Sequence, residues 1–194
     1  MMKQICIVSF SSHKNGNCES IARFIQKQIK GEVKVLLLSQ LDIHGCGRCL
    51  YECFDEPTQC PYIHDDILNI YHQITMSDFC FMIVPNYSDA PCANYFMFRE
   101  RSQCTWALCQ GYYQVRKHWI VVANTCKENF PPLLVNEIEE GEPLHLTFVS
   151  SQETKTKSTQ GHLIDQPYYQ NLILTMLKEE NLILKSYPPD KMVG

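Results

Sequence analysis

The sequence has no long hydrophobic run. Near its start, MMKQICIVSFSS offers one lysine and a short apolar stretch, less than the core of a signal peptide and far below the roughly 20 residues that span a bilayer. A cytoplasmic protein without a membrane partner is therefore expected. Positive charge is not in excess either: 17 Lys and Arg against 21 Asp and Glu give a net charge of −4. That balance argues against a nucleic-acid partner or an anionic membrane surface, so any phosphate must be held locally. Neither G-x-G-x-x-G nor G-x-x-x-x-G-K-[ST] occurs, which removes support for a dinucleotide fingerprint and for a nucleoside-triphosphate loop. No internal repeat is visible. What remains is a chain of 194 residues, 45% hydrophobic and 20% charged, with enough apolar material for a core. Its length predicts a single domain over 1–194.

Several segments alternate between strand and helix patterns. Gln4 to Phe10 is short, apolar and β-branched, and it ends in the polar cluster Ser11 to Asn17. Ile21, Phe24, Ile25 and Ile29 then fall at helical spacing, Gly31 closes that helix, and Val33 to Leu38 reads as a second strand. Ile67, Ile70, Tyr71 and Ile74 predict a helix after Asp65-Asp66, followed by the unbroken apolar run Phe79 to Val84, which Pro85 should stop. Such runs suit a parallel strand covered on both faces. A long helix over about 92–111, a strand over 118–124, a connection through Pro131-Pro132, the segment Leu144 to Val149 and a last helix through Tyr169 and Leu177 complete the pattern. The expectation is an α/β doubly wound, five-stranded parallel sheet of order 2-1-3-4-5 with helices on both faces. A cysteine-rich insertion occupies 41–63, and the polar stretch 150–163 reads as a mobile loop.

Ligands of such sheets bind outside the carboxyl ends of the strands, which directs attention to Ser11 to Cys18. Hydroxyls, an amide, a glycine and the unpaired N–H groups of a helix start are suited to one small phosphate, with His13 and Lys14 beside them. The plainer alternative is a turn with Asn17 as N-cap. Eleven cysteines in a chain without a secretory signal are expected as reduced thiols or metal ligands. Four of them, Cys46, Cys49, Cys53 and Cys60, are separated by two, three and six residues in a polar segment. Close thiolates can converge on one soft metal centre at small loop-closure cost. Structural zinc usually shows paired short knuckles across a longer gap, so iron and sulfide rank above zinc.

The other cysteines, Cys6, Cys18, Cys80, Cys92, Cys104, Cys109 and Cys126, read mainly as small buried hydrophobes. Helix starts at Cys18 and Cys92 could lower a thiol pKa, but no paired base is in sight and no catalytic residue is assigned. Asp65 and Asp66 read as helix caps, Arg99 to Arg101 as a solvated helix face or oligomer contact, and Tyr112-Tyr113, Trp106 and Trp119 as packing.

Together these motifs resemble the flavodoxin-like NADPH-dependent FMN reductase family, and within it the iron-sulfur flavoproteins. The family's phosphate loop, roughly G-S-x-R-x-x-G-N-[ST], is matched by Phe10 to Cys18, its cysteine segment by Cys46 to Cys60 before His64-Asp65-Asp66, and its P-x-Y flavin loop by Pro85 to Ser88. The resemblance spans roughly residues 4–125. It implies that Ser11, His13, Asn15, Gly16, Asn17 and Cys18 surround an FMN phosphate and that Pro85, Asn86, Tyr87 and Ser88 line the isoalloxazine. It also implies an NAD(P)H donor, a [4Fe-4S] cluster on Cys46, Cys49, Cys53 and Cys60, and a homodimer or homotetramer. The acceptor would be a small molecule, such as a quinone, or a redox protein. Phe10, His13 and Cys18 depart from the loop pattern, and three residues rather than two separate Cys49 from Cys53. A second reading keeps the fold without catalysis, with the thiols holding a structural or sensing zinc.

Overall fold

Alternation along the strands sorts the apolar side chains onto two faces of one sheet. The computed structural model describes residues 3–47, 49–88, 90–124, 142–156 and 163–183. In chain order it contains β1 (Gln4–Ser9), α1 (Asn17–Gln28), β2 (Glu32–Leu37), α2 (Asp66–Thr75), β3 (Phe79–Tyr87), β4 (Ala90–Pro91), α3 (Ala93–Glu100), α4 (Ser102–Trp106), β5 (Arg116–Ala123), β6 (His145–Ser150) and α5 (Pro167–Glu179). The long strands pair in parallel as β2-β1-β3-β5-β6, and the two-residue β4 folds back antiparallel on β3. With β4 set aside, this is the order expected from the sequence.

On one face Cys6, Val8, Met82, Val84, Trp119 and Val121 pack with residues of α2 and α3. On the other, Ile5, Ile7, Phe81, Ile83, Ile120 and Val122 pack with α1 and α5. The helices therefore cover both faces, and each fully buried Leu, Ile, Val or Phe side chain contributes about 1.5–3 kcal/mol. Tyr112 and Trp119 are buried, as expected of packing residues.

Three local expectations are corrected. Pro85 does not stop β3, which runs on to Tyr87 with Pro85 in register with Val122 of β5. Ile83, two residues earlier, bonds toward β1 through Phe10 N–H. Pro85 faces that same side after β1 has ended, so its missing N–H removes no ladder bond. The predicted helix over 92–111 is two helices with a break at Arg101. There the Thr105 hydroxyl bonds back to the Arg101 and Ser102 carbonyls at 3.1 Å, and the Arg101 side chain is drawn inward. Arg101 is 1% exposed, so it does not lie on a solvated face.

Of the expected loop over 150–163, residues 151–156 form a hydrogen-bonded turn in which Thr156 N–H reaches the Ser151 carbonyl. Residues 157–162, Arg48, the segment 125–141 with Cys126 and Pro131-Pro132, and the Trp106 side chain lie outside the described residues. Among the described residues, no helix is long and apolar enough to cross a membrane.

Candidate functional site

The loop Ser11 to Gly16 leaves the carboxyl end of β1 and delivers the chain directly to the N-terminus of α1. Gly16, not Asn17, is the N-cap, and it brings no capping side chain. A helix start of this kind, with its dipole and backbone N–H groups, favours an anion. The turn itself is held by local bonds: His13 N–H donates to Ser11 Oγ at 3.1 Å, and Asn15 N–H donates to Glu19 Oε2 at 2.9 Å. Asn15 sits at φ 57°, a left-handed position that an asparagine tolerates. His13, Lys14 and Asn15 are exposed, whereas Ser11, Asn17 and Cys18 are buried. Asn17 has a further duty, because its Oδ1 accepts from Leu163 N–H at 2.9 Å and ties the loop to the residues leading into α5.

The second expected flavin segment meets the first. Tyr87, at the end of β3, shares a side-chain hydrogen bond with Ser11 and lies near Cys18 and Cys92. Burial, then those two thiols, raise its hydroxyl above the ordinary value, so it is a neutral group at pH 7. Asn86 is buried, and Ser88 takes φ 51° in the turn to β4. The loop is also anchored to α3: the Phe10 carbonyl accepts from Asn94 Nδ2 at 3.1 Å and from Cys92 Sγ at 3.3 Å. The helix starts do not activate the two cysteines. Burial raises both thiols, Cys18 strongly, and outweighs the dipole, so neither is a nucleophile at neutral pH.

The cysteine-rich segment runs from the end of β2 to the start of α2 as an irregular excursion with short 3₁₀ turns at Glu52–Phe54 and Pro57–Gln59. Asp65 caps α2 as expected, Asp66 lies in its first turn and not at the cap, and both also fasten this segment. Asp65 Oδ1 accepts from Ile67 N–H at 3.0 Å while its Oδ2 accepts from His44 N–H at 3.0 Å, and Asp66 Oδ2 accepts from Asp42 N–H at 2.8 Å. Arg101 completes the fastening through bonds to Asp65 Oδ2 at 2.6 Å, the His44 carbonyl at 3.0 Å and the Tyr62 carbonyl at 2.9 Å. A Cβ at Gly45 would meet Glu100 Oε2 at 2.7 Å, a contact the flexible end of that side chain can relieve by moving aside.

Within this frame the four thiols come together. Cys46 hydrogen-bonds Cys49, and Cys53 lies within electrostatic reach of both Cys49 and Cys60. A fifth thiol joins them: Cys104 of α4 hydrogen-bonds Cys60. Burial pushes Cys46 up to about 12 and Cys104 up to about 11, so both are protonated at pH 7 and would release protons to a metal. All ten described cysteines are free. The donor chemistry, thiols alone, suits iron and sulfide or another soft metal. Among the described residues no three thiols bring their sulfurs within 4.8 Å of one another. A single tetrahedral ion, with metal–sulfur bonds of about 2.3 Å, asks for a tighter set, and a polynuclear centre does not.

No family model matches the sequence, and no curated protein matches it. Among solved structures, Smu.1420 from Streptococcus mutans UA159 is similar at a TM-score of 0.57 and 13% identity, covering 92% of this chain and 99% of that one. FerB from Paracoccus denitrificans, a flavoenzyme NAD(P)H:(acceptor) oxidoreductase, is similar at a TM-score of 0.54 and 13% identity, covering 93% and 96%. The fold is flavodoxin-like. At that identity the likeness speaks for the fold alone.

The tightest ligand-type trio among the described residues went unnoticed in the sequence. His118, His145 and Glu180 place donor atoms within 4.8 Å at the amino-terminal ends of β5 and β6, opposite the phosphate loop. Glu180 Oε1 receives His118 Nδ1 at 2.8 Å and His145 Nδ1 at 3.1 Å, and its Oε2 pairs with Arg116 at 2.8 Å. His118 Nε2 is 2.8 Å from Thr147 Oγ1. With Nδ1 donating to the carboxylate, the neutral ring accepts the threonine hydroxyl at Nε2. The Arg116 guanidinium beside the carboxylate opposes a cation there, although Glu180 Oε2 makes no well-directed hydrogen bond. Only geometry reveals the trio, because the three residues lie on separate elements.

Proposed function

We propose that this chain is an FMN-dependent oxidoreductase that draws reducing equivalents from NAD(P)H and passes them to a small-molecule acceptor or a redox protein, with the thiol group holding an iron-sulfur centre. The observation that carries the reading is the meeting of two segments at one end of the sheet. The polar loop after β1 leads into the N-terminus of α1, where the cap makes no side-chain bond, and the end of β3 brings the Tyr87 side chain onto Ser11. The likeness to FerB, a flavoenzyme in its own right, supports the same direction.

In this reading the first-turn N–H groups and Ser11 hold the phosphate, with the exposed His13 and Lys14 adding positive or hydrogen-bonding capacity at its rim. Tyr87 and the backbone around Asn86 position the ring against the carboxyl edge of β3. Bound FMN would supply hydride acceptance at its N5 and onward transfer of one or two electrons. A donor set of thiols alone is one that iron and sulfide accept.

Incubating the purified chain with FMN and removing free flavin should leave the flavin's visible absorption on the protein, and NAD(P)H should bleach it. A chain that takes up no FMN under these conditions removes the redox reading. Replacing the exposed His13 with glutamate places a carboxylate next to the Gly16 cap, where it opposes a phosphate. His13→Glu should weaken FMN binding by about tenfold or more, or about 1.4 kcal/mol, while leaving the melting temperature unchanged. Calorimetric titration reads the affinity, and equal affinity for the two proteins would place the phosphate elsewhere.

A further inference from the structure

The four cysteines of the excursion are not the whole thiol set, and a four-ligand cluster would leave one of five sulfurs over. We propose that Cys104 of α4 is a ligand of the iron-sulfur centre, with Cys49, Cys53 and Cys60, and that Cys46 is the thiol left out. This rests on reading the thiol group as an iron-sulfur site.

Geometry and charge both favour Cys104. It is 2% exposed and hydrogen-bonds Cys60, and α4 packs against the two 3₁₀ turns that carry Cys53 and lead to Cys60. Arg101 Nε donates to its Sγ at 3.4 Å. A guanidinium bonded to sulfur stabilises the thiolate that ligation requires, and hydrogen bonds to ligand sulfurs are a recognised control on cluster potential. Cys46 is held differently. Arg101 lies within electrostatic reach of it, as it does of Cys104, but the Cys46 thiol donates to the Glu100 carbonyl at 3.6 Å and its backbone N–H donates to Glu100 Oε2 at 3.2 Å. A guanidinium offsets the negative charge of thiolates around iron and sulfide, and its direct bond is to the sulfur of Cys104.

Each cysteine loses its proton to solvent as it ligates. The centre would then pin the excursion to α4 from the side that Arg101 already fastens.

The test uses the full-length chain reconstituted anaerobically with ferrous iron and sulfide, then challenged with a chelator. Iron and acid-labile sulfide per chain are measured for the wild type, Cys104→Ser, Cys46→Ser and, as a buried control outside the group, Cys109→Ser. Cys104→Ser should retain cluster at least about tenfold less well, the lower bound for losing even an outer-shell partner. Cys46→Ser and Cys109→Ser should match the wild type. Retention by Cys104→Ser with loss from Cys46→Ser overturns the assignment while leaving an iron-sulfur centre in place. A wild-type chain that takes up neither iron nor sulfide overturns the reading beneath it as well. To guard against a folding defect in the variants, maleimide labelling and mass spectrometry are applied to the loaded wild type. Cys46 should label as in the metal-free chain, and its protection on loading overturns the proposal.

Discussion

Replacing Arg101 with methionine is expected to destabilise the chain by about 3–5 kcal/mol, the usual cost of removing one partner from a buried ion pair. Both charges are out of water, with side-chain exposures of 0% for Arg101 and 3% for Asp65 at 2.6 Å. Burial alone would lower the arginine's pKa, but the bonds to Cys104 and Asp65 raise it above its ordinary value, so it is charged at every accessible pH. Methionine restores the aliphatic stem and supplies no donor. It leaves the Asp65 carboxylate without its cation and the His44 and Tyr62 carbonyls without a shared partner. Urea denaturation reads the loss as a lower midpoint. Because the pair is buried, the loss should change little between low and physiological salt. A cost below about 1 kcal/mol would mean that water or a neighbour takes over the carboxylate.

Asp65→Asn should cost a similar amount. Asparagine keeps one acceptor oxygen for the α2 cap, but its NH2 then faces the two donors that Oδ2 serves, His44 N–H and Arg101 Nη1, and the buried guanidinium loses its counter-charge. Limited proteolysis should find the excursion between β2 and α2 more accessible in both variants, since Arg101 joins that segment to the end of α3. Comparable losses from the two variants mark the ion pair as the fastening, because Asp65→Asn changes the side chain's volume hardly at all.

The same arginine shows where sequence reasoning stops. The strands were legible because their apolar runs and parallel neighbours leave few other arrangements, and the loop after β1 was legible because a polar cluster between a strand and an amphipathic helix has few other uses. Asp65 read correctly as a cap because a cap is a local fact. Arg101 read as solvated because Arg-Glu-Arg on a helix ordinarily is, and its partner lies 36 residues away, already accounted for by its local role. Cys104 failed for a related reason: one cysteine in a helical stretch carries no spacing signal, and only the packing of α4 on the turns beside Cys53 and Cys60 gives it company. Pro85 misled because a proline normally ends a strand. Here the strand outlasts its neighbour on the side where the N–H is missing.

The histidine–glutamate network carries the last prediction. His118 is buried among Glu180, which follows α5, His145 and Thr147 of β6, Arg116 of β5 and the ring of Phe81 on β3. Burial lowers its pKa, only partly offset by the Glu180 carboxylate, while His145 and Arg116 push the same way as burial. A histidine with a lowered folded pKa binds fewer protons folded than unfolded. Its stabilising contribution is therefore complete above the unfolded value of about 6.5 and is lost as the pH falls below it. Stability should decline below about pH 6.5, and His118→Asn, which cannot titrate, should flatten that part of the profile. Glu180→Ala should cost about 3 kcal/mol at neutral pH, because it strands the His118 Nδ1–H in an apolar setting and frees Arg116. It should also steepen the acid decline, since the one group that favours protonated His118 is gone and charging the ring then costs more. A Glu180→Ala protein with wild-type stability and an unchanged pH profile would show that the carboxylate does not set the state of that histidine.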